Sequence, residues 1–76
     1  MTNEDEYRTT DLGLAAFLVA RGHPLMRLEG RCGDRRVFCF PTAAEGSAPL
    51  FHRDASVPAR TFANAIRDLK ALVRPL

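Results

Sequence analysis

The nine residues from Leu12 to Ala20 include no polar side chain, and this run constrains the fold more than any other part of the sequence. A helix at a protein surface keeps part of its circumference polar, whereas a helix that is apolar all round is buried all round. Asp11 offers an N-cap side chain before the run, and Gly22 suits the position just after a helix end. We therefore predict a buried helix over residues 10–21.

The cover for this helix can come from two sources, the rest of the same chain or a second copy of it. A chain of 76 residues buries only about 60% of the surface that its unfolded form exposes. One hairpin and one further helix offer limited cover, so the sequence favours a homodimer interface. The residues expected at this interface are Leu14, Phe17, Leu18, Val37 and Cys39.

A β-hairpin is predicted next, with strands at residues 25–30 and 35–40. Its register is open, because a shift of one residue reverses the faces of a strand. Direct pairing of Leu28 with Cys39 sends Phe38 outward beside charged side chains. We prefer an odd-length loop, because it separates the two faces more cleanly. One face then carries Met26, Leu28, Phe38 and Phe40, and the other carries Arg27, Glu29, Val37 and Cys39.

The remaining segments complete a small two-layer α+β domain in the order helix, β-hairpin, loop, helix. Residues 1–8 are predicted to form a flexible arm, and residues 9–76 the single domain. Over residues 42–57 we expect a loop with one helical turn near 49–53, because glycine and proline interrupt a longer helix. The last helix opens near Pro58, and its apolar positions are Phe62, Ile66, Leu69 and Val73.

Cations gather on the polar side of that last helix, where arginines recur every seven residues, close to two turns. The set comprises Arg60, Arg67, Lys70 and Arg74, with Asn64 between them. One interpretation is a stripe that binds the phosphate backbone of nucleic acid. The other, which the sequence favours, is a solvated face opposite the core, because no exposed aromatic residue interleaves with the arginines to stack on bases. Arg31, Arg35 and Arg36 near the hairpin turn would extend a basic surface.

The sequence carries no pattern typical of a metal or catalytic site. His23, expected to cap the first helix, and His52, expected in a loop, are not spaced like zinc ligands relative to Cys32 and Cys39. A thiol switch at Cys32, which lies beside arginines, is a further alternative, although no general base is evident near it. We therefore expect no enzyme, no metal and no cofactor.

Charge and hydropathy bear on the cellular location of the protein. The net charge of +2 and the pI of about 8.9 are too mild to indicate nucleic acid by themselves. The longest apolar run, nine residues, is shorter than the ~20 residues that span a bilayer, and the acidic start lacks the basic region of a signal peptide. We expect a cytoplasmic protein without membrane contact.

Three blocks of the sequence, at residues 9–18, 22–23 and 62–70, carry a resemblance. They read TTDLGLAAFL, GH and FANAIRDLK. With these blocks the chain resembles a family of short bacterial and phage proteins that is classed only as a domain of unknown function. The resemblance covers most of residues 7–74 and departs most at 42–57, where similar chains carry a further short helix. It implies a compact helix–hairpin–helix unit without a chemical motif, and it carries over no activity, ligand or site residue.

Taken together, these features predict a non-enzymatic interaction or regulatory module that acts as a homodimer, with a possible protein partner. The alternative is a small nucleic-acid-binding protein that uses the cationic face of the last helix.

Overall fold

The computed structural model describes residues 6–30 and 36–73 of the chain. Over these residues it forms a small α+β domain with a three-stranded antiparallel sheet, three α-helices and one short 3-10 helix, which confirms the predicted fold class. The sheet has the strand order β1-β3-β2. The elements are β1 (Glu6–Thr9), α1 (Leu12–Ala20), β2 (Arg27–Glu29), β3 (Val37–Pro41), the 3-10 helix (Thr42–Gly46), α2 (Ala48–His52) and α3 (Ala59–Val73).

The first strand, β1, occupies part of the segment predicted to be a flexible arm, and that prediction is wrong for residues 6–8. The strand pairs antiparallel with β3, with Tyr7 opposite Phe40 and Thr9 opposite Phe38. Tyr7 packs against the core, whereas Arg8 is exposed on the other face. This alternation is that of a half-buried strand. Residues 1–5 of the predicted arm lie outside the described residues.

Helix α1 begins two residues later and ends one residue earlier than predicted, and the predicted residues cap both of its ends. The Asp11 carboxylate accepts a hydrogen bond from the Leu14 backbone N–H at 3.2 Å, which satisfies one of the free donors at the helix start. Gly22 has a φ of +99°, and it donates to the Val19 carbonyl while His23 donates to the Leu18 carbonyl. These two bonds form a Schellman motif. His23 thus caps the helix through its backbone N–H.

The hairpin adopts the register that the sequence favours. Leu28 lies opposite Phe38, and Arg27 lies opposite Cys39. Strand β2 is shorter than the predicted 25–30. Strand β3 begins two residues later and ends one residue later, at Pro41, than the predicted 35–40. Met26 departs from the prediction, because it precedes β2 and its side chain is 50% exposed rather than in the core. The predicted turn residues lie outside the described residues.

The segment between β3 and α3 contains more helix than the single predicted turn. The 3-10 helix is followed by α2, which overlaps the turn expected at 49–53 but begins and ends one residue earlier. Phe51 of α2 packs its ring 5.5 Å from that of Phe17, measured between centroids. This segment therefore adds cover to α1.

The middle of helix α1, residues 14–18, is buried by its own chain, and the two residues at each end are half-buried. Leu14, Phe17 and Leu18 are 4%, 2% and 0% exposed. The helix contacts α3, α2 and β1, and its side chains share one core with the inner face of β3. The premise that one chain cannot cover α1 is wrong, because β1 and α2 supply cover in addition to the hairpin and the last helix. The predicted interface residues Leu14, Phe17 and Leu18 are core residues, and homodimerisation stays a prediction.

Candidate nucleic-acid interface

The outward face of α3 presents the cations predicted from their spacing. Arg60, Arg67 and Lys70 are exposed, while Ala65 and Leu69 of the same helix are buried in the core. At 3.6 residues per turn the three cations lie within about 80° of one another around the helix axis. Arg74, the fourth predicted member, lies outside the described residues. We call Arg60, Arg67 and Lys70 the α3 cations.

The α3 cations have no protein partner in the described part of the chain. None of their side chains makes a hydrogen bond or an ion pair with residues 6–30 or 36–73. The acidic residue of α3, Asp68, is exposed and lies about 100° around the axis from Arg67 and about 80° from Arg60. The face therefore carries three cations that form no ion pair in the described part of the chain, with one carboxylate at its edge.

A second charged surface lies on the outer face of the sheet, and there the charges are paired. Arg27 of β2 donates to Glu6 of β1 at 3.0 Å and to its own strand neighbour Glu29 at 2.8 Å. Arg8 of β1 pairs in turn with Glu29. Two cations and two carboxylates thus bridge both edge strands across β3. We call Glu6, Arg8, Arg27 and Glu29 the sheet network.

The ionisation of these side chains reflects their pairing. The hydrogen bond from Arg27 is the largest cause that lowers the pKa of Glu29 below its ordinary value of 4.5. Hydrogen bonds to Glu6 and then to Glu29 raise the pKa of Arg27. Two arginines and two carboxylates give the sheet network a formal charge of zero, so it offers a polyanion no attraction over distance.

Cys39 lies on the same face of the sheet and is 0% exposed. Its cross-strand neighbours are Arg8 and Arg27, whose ion pairs pass over β3. Burial is the main cause that raises the pKa of the Cys39 thiol, and a raised pKa disfavours the reactive thiolate. The prediction that Cys39 lies in a dimer interface is wrong, because its side chain is inaccessible. Val37 from the same set is half-buried, and Cys32 lies outside the described residues.

Two open grooves flank α2. One has a volume of about 500 Å³ and combines Tyr7 and Ala48 with the polar residues Glu45, His52 and Arg53. Its charged side chains are exposed, whereas small-molecule sites rely on convergent polar groups held in an enclosed pocket. The other, of about 350 Å³, lies between Phe17, Phe51 and Phe62.

The histidines have structural contacts. His23 shares a hydrogen bond with Ser47 at 2.8 Å between Nε2 and Oγ, which ties the end of α1 to the start of α2. His52 is the last residue of α2, not a loop residue as predicted, and it packs edge-on against Phe51. Within residues 6–30 and 36–73 no three His, Cys, Asp or Glu side chains come together in a group that could hold a metal ion.

No family model matches the chain, and no curated protein and no solved structure is significantly similar to it. Among the described helices none has both the length and the apolar character needed to cross a membrane. The resemblance to short bacterial and phage proteins stays a prediction.

Proposed function

We propose that the protein is a small, non-enzymatic module that binds nucleic acid through the α3 cations. The observation that carries the proposal is the difference between the two charged surfaces. Arg8 and Arg27 are neutralised by carboxylates of the sheet network, whereas the α3 cations have no partner in the described part of the chain. Phosphates on a nucleic-acid backbone would supply the missing partners.

The expected strength of binding follows from the number of cations. Each phosphate that a cation neutralises on duplex DNA releases condensed counterions and contributes about −0.9 to the slope of log K against log salt. Three contacts predict a slope of about −2.7. Binding that is mainly electrostatic has dissociation constants of about 10⁻⁴ to 10⁻⁶ M at physiological salt. The proposal includes a cytoplasmic location, where nucleic acid is accessible.

The homodimeric interaction module predicted from the sequence has less support. It requires the apolar side chains of α1 to be available to a second copy, and Leu14, Phe17 and Leu18 are enclosed by their own chain. Exposing them would cost about 1.5–3 kcal/mol for each fully buried side chain of this type. A bacterial or phage origin remains what the resemblance implies.

Binding of a fluorescently labelled 20-base-pair DNA duplex tests the proposal. Anisotropy measured from low to physiological salt should give the slope of about −2.7. The double variant Arg60→Gln/Arg67→Gln should reduce the magnitude of that slope by about 1.8 and weaken binding at low salt by about tenfold or more.

A matched control removes the same charge elsewhere. Arg21 and Arg53 are exposed and lie outside α3 and the sheet network, so Arg21→Gln/Arg53→Gln changes the net charge by the same two units. This control should retain most of the affinity and the salt slope. No binding at low salt, or equal losses in the two double variants, would contradict the proposal.

A further inference from the structure

A row of four side chains runs along the centre of the exposed α3 face. Arg60, Asn64, Arg67 and Ala71 follow one another at intervals of four, three and four residues, and all four are exposed. This spacing places them on one line along the helix. The row is about 16 Å long, at 1.5 Å of rise per residue. Its centre is therefore an amide flanked by cations.

Asn64 has hydrogen-bonding capacity that the described protein does not use. Its exposed side chain makes no hydrogen bond within residues 6–30 and 36–73. Its neighbours three and four residues away along the helix are Arg60, Thr61, Arg67 and Asp68, all exposed. The amide therefore lies between two cations that can hold phosphates, where it can meet groups that lie below them.

The major groove of duplex DNA fits this combination. It is about 12 Å wide and admits an α-helix, and an Asn side chain matches the adenine edge by donating to N7 and accepting from N6 through its amide N–H and carbonyl oxygen. The major groove of duplex RNA is too narrow for side chains to read. Single strands are held largely by stacking on aromatic side chains, and the exposed α3 face carries none.

On the basis of the proposed function, we infer that α3 enters the major groove of duplex DNA, where Asn64 reads an adenine edge and the α3 cations hold the flanking phosphates. Asn64 is then the residue that determines base preference. The cations supply affinity that is independent of sequence.

Two binding experiments test this inference with the full chain. The first compares duplex DNA, duplex RNA and single-stranded DNA of the same length at one low salt concentration. The second selects bound duplexes from a pool with a random 12-base-pair centre and counts enriched bases. We expect duplex DNA to bind best and adenine to be enriched. A good bidentate base contact corresponds to a discrimination of about 5- to 150-fold.

The variant Asn64→Ala separates base reading from phosphate binding. It should abolish the adenine enrichment while it leaves the salt slope unchanged, and the control Thr61→Ala, an exposed α3 residue outside the row, should keep the enrichment. Equal binding to all three nucleic acids, a pool without enrichment, or enrichment that survives in Asn64→Ala would overturn the inference and leave the proposed function standing. If no nucleic acid binds at low salt, the proposed function fails as well.

Discussion

Arg27 holds the centre of the sheet network, because it is the side chain that contacts both carboxylates. Its guanidinium reaches Glu6 across β3 and Glu29 along its own strand. A planar fork of donors suits two carboxylates at once better than a lysine does. The network covers Cys39, which therefore stays buried although the outer face of the sheet is charged.

The lowered pKa of Glu29 predicts a pH dependence of stability. A carboxyl group whose pKa is lower in the folded state stabilises that state above its unfolded value, here 4.5, and the contribution is lost as pH falls through the folded value. We expect Glu29→Gln to be less stable than the wild type at pH 7 and to lose less stability between pH 5 and about pH 3. Urea unfolding followed by circular dichroism measures both.

Glu45 provides the control for this prediction, because it is exposed and has no ion-pair partner in the described part of the chain. Glu45→Gln removes one carboxylate without breaking an ion pair, so its free energy of unfolding at pH 7 should stay within about 0.5 kcal/mol of the wild type. Because the network is partly exposed, its effect should shrink at high salt. Parallel acid profiles for the wild type and Glu29→Gln would show that the pairing contributes nothing to stability.

At the scale of elements, α1 is the part of the fold around which the others pack. Its side chains meet α3, α2 and the sheet in one core. Leu18 is fully buried there, whereas Leu72 of α3 is 53% exposed. Replacing each leucine by alanine therefore compares the same change of side chain at a buried and at an exposed position.

Leu18→Ala should lower the free energy of unfolding by about 3 kcal/mol, because it removes transfer energy and leaves a cavity. Leu72→Ala should change it by no more than about 0.5 kcal/mol. Urea denaturation at constant protein concentration measures both. Similar small losses in the two variants would mean that α1 is not enclosed as described.

Local signals made α1 and the hairpin register predictable. Asp11 and Gly22 have recognised roles at helix ends, and the register was favoured because it puts Phe38 and Phe40 on the face of Leu28, opposite to Arg27 and Glu29. Strand β1 was missed, because four residues with two charges give little pattern, and its place beside β3 depends on long-range pairing. The sheet network was missed with it, although the alternating charges of Arg27 and Glu29 were a signal for an outer face.

At the scale of the whole molecule, a single chain covers the middle of α1. The protein is therefore expected to unfold as a monomer, without dissociation of a dimer. A protein whose folded state requires a second copy becomes more stable as its concentration rises. We expect the urea midpoint to stay constant over a 100-fold range of protein concentration. A midpoint that rises with protein concentration would instead support the homodimer.

The two charged surfaces of the molecule differ in charge balance. On the sheet the positive and negative charges are equal in number, whereas on α3 the positive charges are in excess. The net charge of +2 is small, so attraction to a polyanion depends on where the cations lie. The α3 cations lie together without partners in the described part of the chain, while the sheet network compensates Arg8 and Arg27. Binding is therefore expected on one side of the molecule.

An NMR titration of the ¹⁵N-labelled protein with a 20-base-pair DNA duplex at low salt tests this claim most directly. The account predicts that the largest changes in amide chemical shift fall at Arg60, Asn64, Arg67 and Lys70, and that the amides of β1 and β2 change little. Changes centred on the outer face of the sheet, or no changes at any DNA concentration, would contradict it.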